Sequence, residues 1–305
     1  MNGSNFYYTQ RWRYDFVPEY EALHFQNTIT MIRDTDLQAT TEPGMNYTAC
    51  YQQPFVSVFN SDCLELLSNT ESETVDMVFA DPPFNVGIKY KGYKDSNLNY
   101  KEWCEQWISE CFRVLKPTGT FYLMTIDRHL EWKMPIMAKH GTFINLVKWK
   151  NVSANQDKNR FWNATQPIMV YGKTDKYKFN TYAQTRTADQ MIMSWNKDRA
   201  ENAKFQLLDY WDDIPLVYAG SIKHKEAILE PGTCKKAHPC QMPEMLPGRA
   251  ILFSTDENDT VLDPFTGSGT TAMACKKLNR KFIGSEISEE YFKIIKSRLD
   301  VPQLC

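Results

Sequence analysis

The sequence predicts an α/β fold in which helices cover both faces of a mostly parallel central sheet. Three observations support this fold class. Strands and helices alternate from Phe55 onward, two apolar strands each end at an aspartate followed by proline, and a glycine-rich turn leads from the second of these strands into a helix.

Length and composition limit the possible domain organisation and cellular location of the chain. The chain has 305 residues, of which 42% are hydrophobic, enough for one large domain with an insertion. No apolar run is long enough to cross a bilayer, and the N-terminus has no signal-peptide pattern, so we expect no membrane association. Eight scattered cysteines without a CxxC pair predict reduced thiols and a cytoplasmic location.

The first half of the predicted sheet lies between Phe55 and Tyr171. The segments "FVSVF" and "VDMVFA" read as strands, separated by a short helix "DCLELL". A helix follows over about 100–114, and "KPTGT" is predicted to turn the chain into the strand "FYLMT". Two more strands, "FINLVKWK" and "PIMVYGK", complete this half.

The second half begins after a long irregular stretch. A helix is predicted from Pro247 to Phe253, then the strand "TVLD", the glycine turn, a helix over 270–278, the strand "KFIGSE" and a final helix. We therefore predict four segments: an N-terminal extension (1–50), a catalytic half (51–174), an insertion (175–234) and a second half of the same catalytic domain (235–305).

The turn "VLDPFTGSGTT" has the features of a cofactor cradle. Gly267 and Gly269 allow a tight turn and close backbone approach, and the helix that follows offers free N–H groups. Glu286 ends the next strand, where an acid can accept hydrogen bonds from ribose hydroxyls. Ala272 replaces the third glycine of a dinucleotide motif, and no P-loop lysine is present, so a nucleoside cofactor without phosphates is favoured. S-adenosylmethionine fits this description.

The turn Asp81-Pro82-Pro83-Phe84 has the features of a pocket for an amino group on a planar ring. The Asp81 carboxylate and the Pro82 carbonyl can each accept an N–H, the prolines hold both acceptors in place, and Phe84 offers a stacking face. A base inside a duplex reaches such a pocket only by flipping out. The alternative is an ordinary Asp-Pro turn, and it is disfavoured because the glycine turn accompanies this motif in the same chain.

Together these motifs resemble the DNA amino-methyltransferases of the β class. "DPPF" matches their target motif and "DPFTGSGTT" their cofactor motif, in an order that is a circular permutation of the more familiar methyltransferase arrangement. "NSDCLELL", "YKEWCEQWISECFRVLKPTGTFYLM" and "AHPCQMP" match further family segments, although Met242 replaces a usual lysine. The resemblance implies a Rossmann-like S-adenosylmethionine-dependent methyltransferase fold and, because Asp81 stands in the first motif, methylation of adenine N6 in DNA.

The expected site residues follow from the motifs and the resemblance. The catalytic turn comprises Asp81, Pro82, Pro83 and Phe84. The expected cofactor contacts are Asp62, Cys63, Asp81, His238, Asp263, Pro264, Phe265, Gly267, Ser268, Gly269, Thr270 and Glu286. Cys234, His238 and Cys240 lie close in sequence, but a structural zinc site takes four ligands, so no metal is predicted.

DNA contacts are expected on two basic and aromatic stretches. Net charge is −2, but residues 148–225 hold 13 Lys and Arg against 8 Asp and Glu, a local balance of +5. The expected DNA-binding residues are Lys89, Lys91, Lys94, Lys148, Lys150 and Arg160.

Several alternatives remain open from the sequence. The target could instead be the N4 amino group of cytosine or adenine in RNA, and the chain could be a non-catalytic partner subunit. The intact motif residues argue against the last of these. The short insertion leaves room for a homodimer or for a separate specificity subunit. Restriction-modification, replication control and viral self-marking are the biological roles that the sequence does not separate.

Overall fold

The computed structural model describes residues 51–151, 159, 161–181, 183–187, 204–217, 226–229 and 236–300. The N-terminal extension predicted over 1–50 lies outside these residues. Strands from both predicted catalytic halves join one sheet, while the boundaries at 174 and 234 stay predictions.

Eleven strands are found in the described residues. They are β1 (Tyr51–Gln53), β2 (Val56–Phe59), β3 (Val75–Ala80), β4 (Leu115–Met124), β5 (Thr142–Lys150), β6 (Thr165–Gly172), β7 (Thr185–Thr187), β8 (Lys204–Gln206), β9 (Tyr210–Trp211), β10 (Thr260–Asp263) and β11 (Lys281–Ser285). Nine form one sheet in the order β1-β2-β11-β10-β3-β4-β6-β5-β9, and β7 pairs antiparallel with β8 in a separate two-stranded sheet.

The sheet is mixed, with a parallel centre. Strands β2, β11, β10, β3 and β4 run parallel to one another. Strand β1 is antiparallel to β2, and β6 is antiparallel to both β4 and β5. The predicted mostly parallel α/β fold is confirmed.

Helices cover both faces of the sheet. Helices α1 (Cys63–Asn69), α2 (Tyr100–Val114) and α3 (Leu130–His140) pack on one face, and α4 (Met245–Ser254), α5 (Thr270–Lys277) and α6 (Glu289–Asp300) pack on the other. Alternation along β3 explains the two cores, because Val78 and Ala80 point into the first and Met77 and Phe79 into the second.

Two local features differ from the sequence prediction. The strand β4 begins at Leu115, before the predicted turn, but its pairing with β3 jumps from Leu115 to Thr120, so residues 116–119 interrupt the ladder as an irregularity. Helix α3 was not predicted from the sequence. Pro135 lies inside it, and proline is a poor signal for a helix interior.

No helix among the described residues combines the length and the apolar character that a membrane crossing requires.

Candidate active site

Four neighbouring parallel strands end at the same edge of the sheet, and four of the predicted site residues lie at or just beyond their ends. Asp81 comes directly after β3, and Asp263 ends β10, its neighbour. Glu286 follows β11, and Asp62 lies three residues beyond β2. Ligands of open α/β sheets bind at this carboxyl edge.

These strand ends enclose a cavity of about 180 Å³. Its wall includes all four residues of the target turn and most of the cofactor turn. The lining comprises Ser61, Asp62, Cys63, Asp81, Pro82, Pro83, Phe84, Tyr90, Tyr93, Trp103, His238, Cys240, Gln241, Met242, Pro264, Phe265, Thr266, Gly267, Ser268, Thr270, Ser285, Glu286 and Ile287. The two motifs therefore meet in one site, although 180 residues separate them in the sequence.

Helix α2 contacts the target turn through a hydrogen bond. Pro82 is buried, and the Tyr100 hydroxyl donates a 2.8 Å hydrogen bond to the Pro83 carbonyl. The role of the preceding Pro82 carbonyl as an acceptor for an amino group stays a prediction. Phe84 is partly buried and contributes its ring to the cavity wall.

Asp263 braces the cofactor turn and does not line the cavity. It is fully buried; one carboxylate oxygen accepts from the Phe265 N–H at 2.9 Å, and the other accepts from the Thr271 hydroxyl at 2.6 Å. Both of its oxygens thus bind the turn and the first turn of α5, and the predicted direct contact between Asp263 and a cofactor stays a prediction.

The two glycines of the turn have different roles. Gly267, with φ of +56°, lines the cavity, and a Cβ there would meet His238 Nε2 at 3.4 Å. Gly269, with φ of +85°, is the N-cap of α5 and packs on Ile295 instead, outside the cavity wall. Gly269 thus shapes the turn, and its predicted contact with a cofactor stays a prediction.

Glu286 ties the cofactor turn to the end of β11. One carboxylate oxygen accepts from the Gly267 N–H and the other from the Ser288 N–H, each at 2.8 Å. Each oxygen retains a second lone pair, so Glu286 can still accept from hydroxyl groups of a ligand in the cavity.

Asp62 and Cys63 lie where β2 gives way to helix α1. One Asp62 oxygen caps the helix by accepting from the Leu64 N–H at 2.8 Å, and the residue also lines the cavity. Burial raises the pKa of the Cys63 thiol, so this cysteine is an apolar wall residue and not a nucleophile.

His238 lies over the glycine turn as a neutral imidazole. Its ring packs against Tyr291 with centroids 4.5 Å apart, and burial lowers its pKa to about 4. Its Nδ1 atom and the hydroxyl of Ser61 are buried without a hydrogen-bond partner in the described residues. Both residues line the cavity, so a ligand with polar groups would satisfy atoms that the protein leaves unpaired.

Three carboxyl groups at this edge of the sheet have raised pKa values. Burial raises the pKa values of Asp81, Asp263 and Glu286 to about 7, and the neighbouring Asp263 charge adds to the rise at Asp81. A positive charge in the cavity would stabilise the ionised forms of these acids, so they favour a cationic ligand.

The segment 85–99 forms a compact loop that contributes two aromatic rings to the cavity wall. Both Asp95 carboxylate oxygens accept backbone N–H groups, from Asn85 at 2.7 Å and from Val86 at 2.8 Å. Tyr90 and Tyr93 stack with centroids 4.7 Å apart, and both line the cavity.

The predicted DNA-binding lysines of this loop differ in their surroundings. Lys89 and Lys94 face each other across an isolated β-bridge and are exposed. Lys91 turns towards helix α6, where its Nζ lies 3.6 Å from Glu290, so its charge is partly used within the protein.

The second predicted DNA-binding group lies on β5. Lys150 is exposed at the end of the strand, and Lys148 lies 3.4 Å from Asp127. Arg160 lies outside the described residues. Because β6 pairs antiparallel with β4, the end of β5 lies at the same edge of the sheet as the cavity.

Sequence reasoning missed several residues of this site. Tyr90 and Tyr93 line the cavity without belonging to a motif, and Gln241 of the matched segment 237–243 lines it although it was not among the expected contacts. Lys133 is buried close to the ring of Phe84. A signal for Lys133 was available, because it shares a helix face with Ile136 and Met137. Among the described residues, no group of three or more His, Cys, Asp or Glu is arranged to hold a metal ion.

Comparison with known proteins agrees with this site. A profile of the family described as DNA methylase matches residues 75–297. Type II methyltransferase M.HpaI of Haemophilus parainfluenzae is 32% identical over 79% of this chain and 73% of its own length. The DNA adenine methyltransferase YhdJ of Escherichia coli is 32% identical over 80% of this chain and 83% of its own length.

Solved structures share the fold at lower identity. The M1.HpyAVI–SAM complex superposes with a TM-score of 0.53 at 23% identity, covering 81% of this chain and 100% of that protein. The cytosine-N4-specific PvuII DNA methyltransferase gives 0.60 at 20% identity, covering 86% of this chain and 92% of its own. On the family match and the identity to full-length relatives, this chain belongs to the DNA methylase family that acts on N6 or N4 amino groups.

Proposed function

We propose that this chain transfers a methyl group from S-adenosylmethionine to the N6 amino group of adenine in DNA. The observation that carries the proposal is the meeting of two turns in one cavity. Asp81 to Phe84 form one wall, and the glycine turn with Glu286 forms another. Relatives of this chain include a DNA adenine methyltransferase, which supports adenine as the target.

The cavity fits the chemistry of S-adenosylmethionine. When bound, this cofactor supplies a methyl group on a positively charged sulfur. Glu286 can accept from ribose hydroxyls, and Ser61 and His238 carry buried polar atoms without partners. The raised pKa values of the nearby acids favour a cation there, because a positive charge would stabilise their ionised forms.

The target turn then positions the amino group. The Asp81 carboxylate accepts one N–H, the Pro82 carbonyl accepts the other, and the Phe84 ring stacks on the base. Both hydrogen bonds direct the nitrogen lone pair into the cavity, so positioning supplies much of the rate. With a pKa of about 7, Asp81 can also hold the proton that the amino nitrogen gives up.

Adenine reaches this turn only after leaving the duplex, so base flipping is part of the proposal. Lys89, Lys94 and Lys150 are exposed at or near the cavity edge and are proposed to contact phosphates. The cytoplasmic location and a homodimeric or heteromeric assembly stay predictions.

Cytosine N4 is the second candidate target. The fold similarity to a cytosine-N4-specific methyltransferase favours it, since the same architecture accommodates both amino groups. Adenine is preferred because an aspartate opens the target turn, as the sequence resemblance implies.

Methyl transfer from labelled S-adenosylmethionine to unmethylated DNA and RNA, run in parallel, tests the proposal. We expect label in DNA, and none with Asp81→Ala, while that variant still binds the cofactor. Label that enters RNA alone, or undiminished transfer by Asp81→Ala, would contradict the proposal.

A further inference from the structure

A lysine is buried beside the target turn, and the mechanism described so far does not use it. Lys133, on helix α3, has 0% of its surface exposed. Its Nζ lies 3.3 Å from the Tyr100 hydroxyl, and it takes part in no ion pair with the described residues. Lysine is almost never fully buried without a paired charge, and a methionine or leucine would fill the space at lower cost.

Three aromatic rings surround this ammonium group. Its Nζ lies 5.4 Å from the ring centroid of Trp132, 5.5 Å from that of Tyr100 and 6.0 Å from that of Phe84. Rings at these distances attract a cation through their electron-rich faces, which partly replaces lost hydration. Burial nevertheless lowers the pKa of Lys133 to about 8, so at neutral pH a positive charge lies next to the proposed stacking ring.

Lys133 also connects to the target turn through hydrogen bonds of the Tyr100 hydroxyl. The Tyr100 hydroxyl accepts from Lys133 and donates to the Pro83 carbonyl at 2.8 Å. A fixed chain of hydrogen bonds thus runs from helix α3 through helix α2 to the turn. Lys133 also acts on Asp81 through its charge, and Asp81 acts on Lys133 in return.

We propose that Lys133 is a positioning residue for methyl transfer: its buried ammonium holds the target turn through Tyr100 and Phe84 and favours the ionised form of the Asp81 side chain. An ionised Asp81 accepts an amino N–H more strongly than a protonated one, because charge-assisted hydrogen bonds are the stronger class. This inference rests on the proposed function and assigns a role in it to a residue outside both motifs.

Other titratable groups act on the pair from each neighbouring element. Asp81 is influenced by Asp263 on β10, which raises its pKa, and it acts in turn on Tyr90 and Cys240. Lys133 is influenced by Cys104 on α2 and acts on His129, whose pKa is lowered to about 4. Of these groups, Lys133 is the one that lowers the pKa of Asp81.

The test is the pH dependence of single-turnover methyl transfer by the full-length protein, from labelled S-adenosylmethionine to unmethylated mixed-sequence DNA. Lys133→Met removes the charge and keeps the volume. A nearby opposite charge lowers the pKa of a carboxyl group by about 1 unit or more. In Lys133→Met, the acidic limb of the pH–rate profile should therefore move up by about 1 pH unit. The ratio of wild-type to variant rates should then shrink about eightfold between pH 6 and pH 9, as follows from titration around pKa values of about 7 and about 8.

Three further variants separate charge from packing. Lys139→Met removes an exposed lysine from the same helix and should leave the profile unchanged. Tyr100→Phe breaks the hydrogen-bond chain but keeps the charge, so it should lower the rate by a similar factor at every pH. Lys133→Gln repeats the charge removal with a polar side chain, in case the methionine variant does not fold.

The outcomes are distinct. An acidic limb that moves in either charge-removing variant and stays in place in Tyr100→Phe supports the role of Lys133. An unmoved limb in a folded, cofactor-binding Lys133 variant overturns it, and so does failure of both charge-removing variants to fold, which would assign Lys133 to stability. A wild-type protein that transfers no methyl group instead overturns the proposed function.

Discussion

Replacing Glu286 with glutamine tests the proposed cofactor contact at a single atom. In the wild type, each carboxylate oxygen accepts a backbone N–H, from Gly267 and from Ser288, at 2.8 Å. A glutamine amide has one oxygen and one NH2 group, so one of the two N–H groups must face a donor. Leaving a buried N–H unsatisfied costs about 1–3 kcal/mol, and we expect Glu286→Gln to lower the free energy of unfolding by that amount.

The affinity for S-adenosylmethionine should fall as well. The variant offers a ribose a neutral acceptor in place of a charged one and disturbs the Gly267 N–H that shapes the turn. A loss of about 1.4 kcal/mol corresponds to a tenfold higher Kd, which is the effect we expect at pH 8. The difference should narrow at pH 6, because Glu286 has a pKa of about 7 and is then largely protonated in the wild type.

Isothermal titration calorimetry with S-adenosylmethionine at both pH values measures this effect, and urea unfolding measures the stability change. Glu289→Gln is the matched control, since Glu289 is exposed at the start of α6 and pairs only with Lys293 among the described residues. Its Kd should equal that of the wild type. An unchanged Kd in Glu286→Gln at pH 8 would refute the role of Glu286 in holding the cofactor.

Three further predictions concern other parts of the structure. The pKa of Asp263 is raised to about 7, so its contribution to stability is present below about pH 4 and is lost as the pH rises through about 7. Asp263→Asn removes this buried charge and can keep the bond to Phe265 N. Its melting temperature in thermal denaturation should therefore exceed that of the wild type at pH 8, by more than it does at pH 6. Replacing the buried Arg249 with methionine should lower the free energy of unfolding in urea by about 2–3 kcal/mol, because two charge-assisted hydrogen bonds to Asp213 are lost. Phe84→Ala should raise the KM for DNA and leave the Kd for S-adenosylmethionine within about twofold, since base stacking is worth about 1–3 kcal/mol; equal losses in both would contradict a stacking role.

Much of the fold could be predicted because its signals are local. Strands β3 and β10 are apolar runs that end at an acid, and the helices that follow have regular apolar spacing. The antiparallel β5–β6 pair and the hidden helix α3 depend on long-range packing instead. Pro135 is a poor signal for a helix interior and so hid α3, while the interrupted pairing around Gly119 hid only the early start of β4 at Leu115.

The site could be predicted in outline for a similar reason. Motif residues are recognised from their order in the chain, which placed Asp81 and Gly267 in one pocket. Their individual contacts depend on packing that the sequence does not encode locally. Asp263 turned inward to hold Thr271, and Lys133 reached the target turn from a helix about 50 residues further along the chain. The roles assigned to the motif residues stay predictions until variants are measured.

The most direct test of the whole account is nucleoside mass spectrometry of DNA methylated by this protein with isotope-labelled S-adenosylmethionine, beside the Asp81→Ala variant. The account predicts N6-methyladenine from the wild type and none from the variant, with cofactor affinity retained in both. Labelled N4-methylcytosine in place of N6-methyladenine, or N6-methyladenine made equally well by Asp81→Ala, would contradict it.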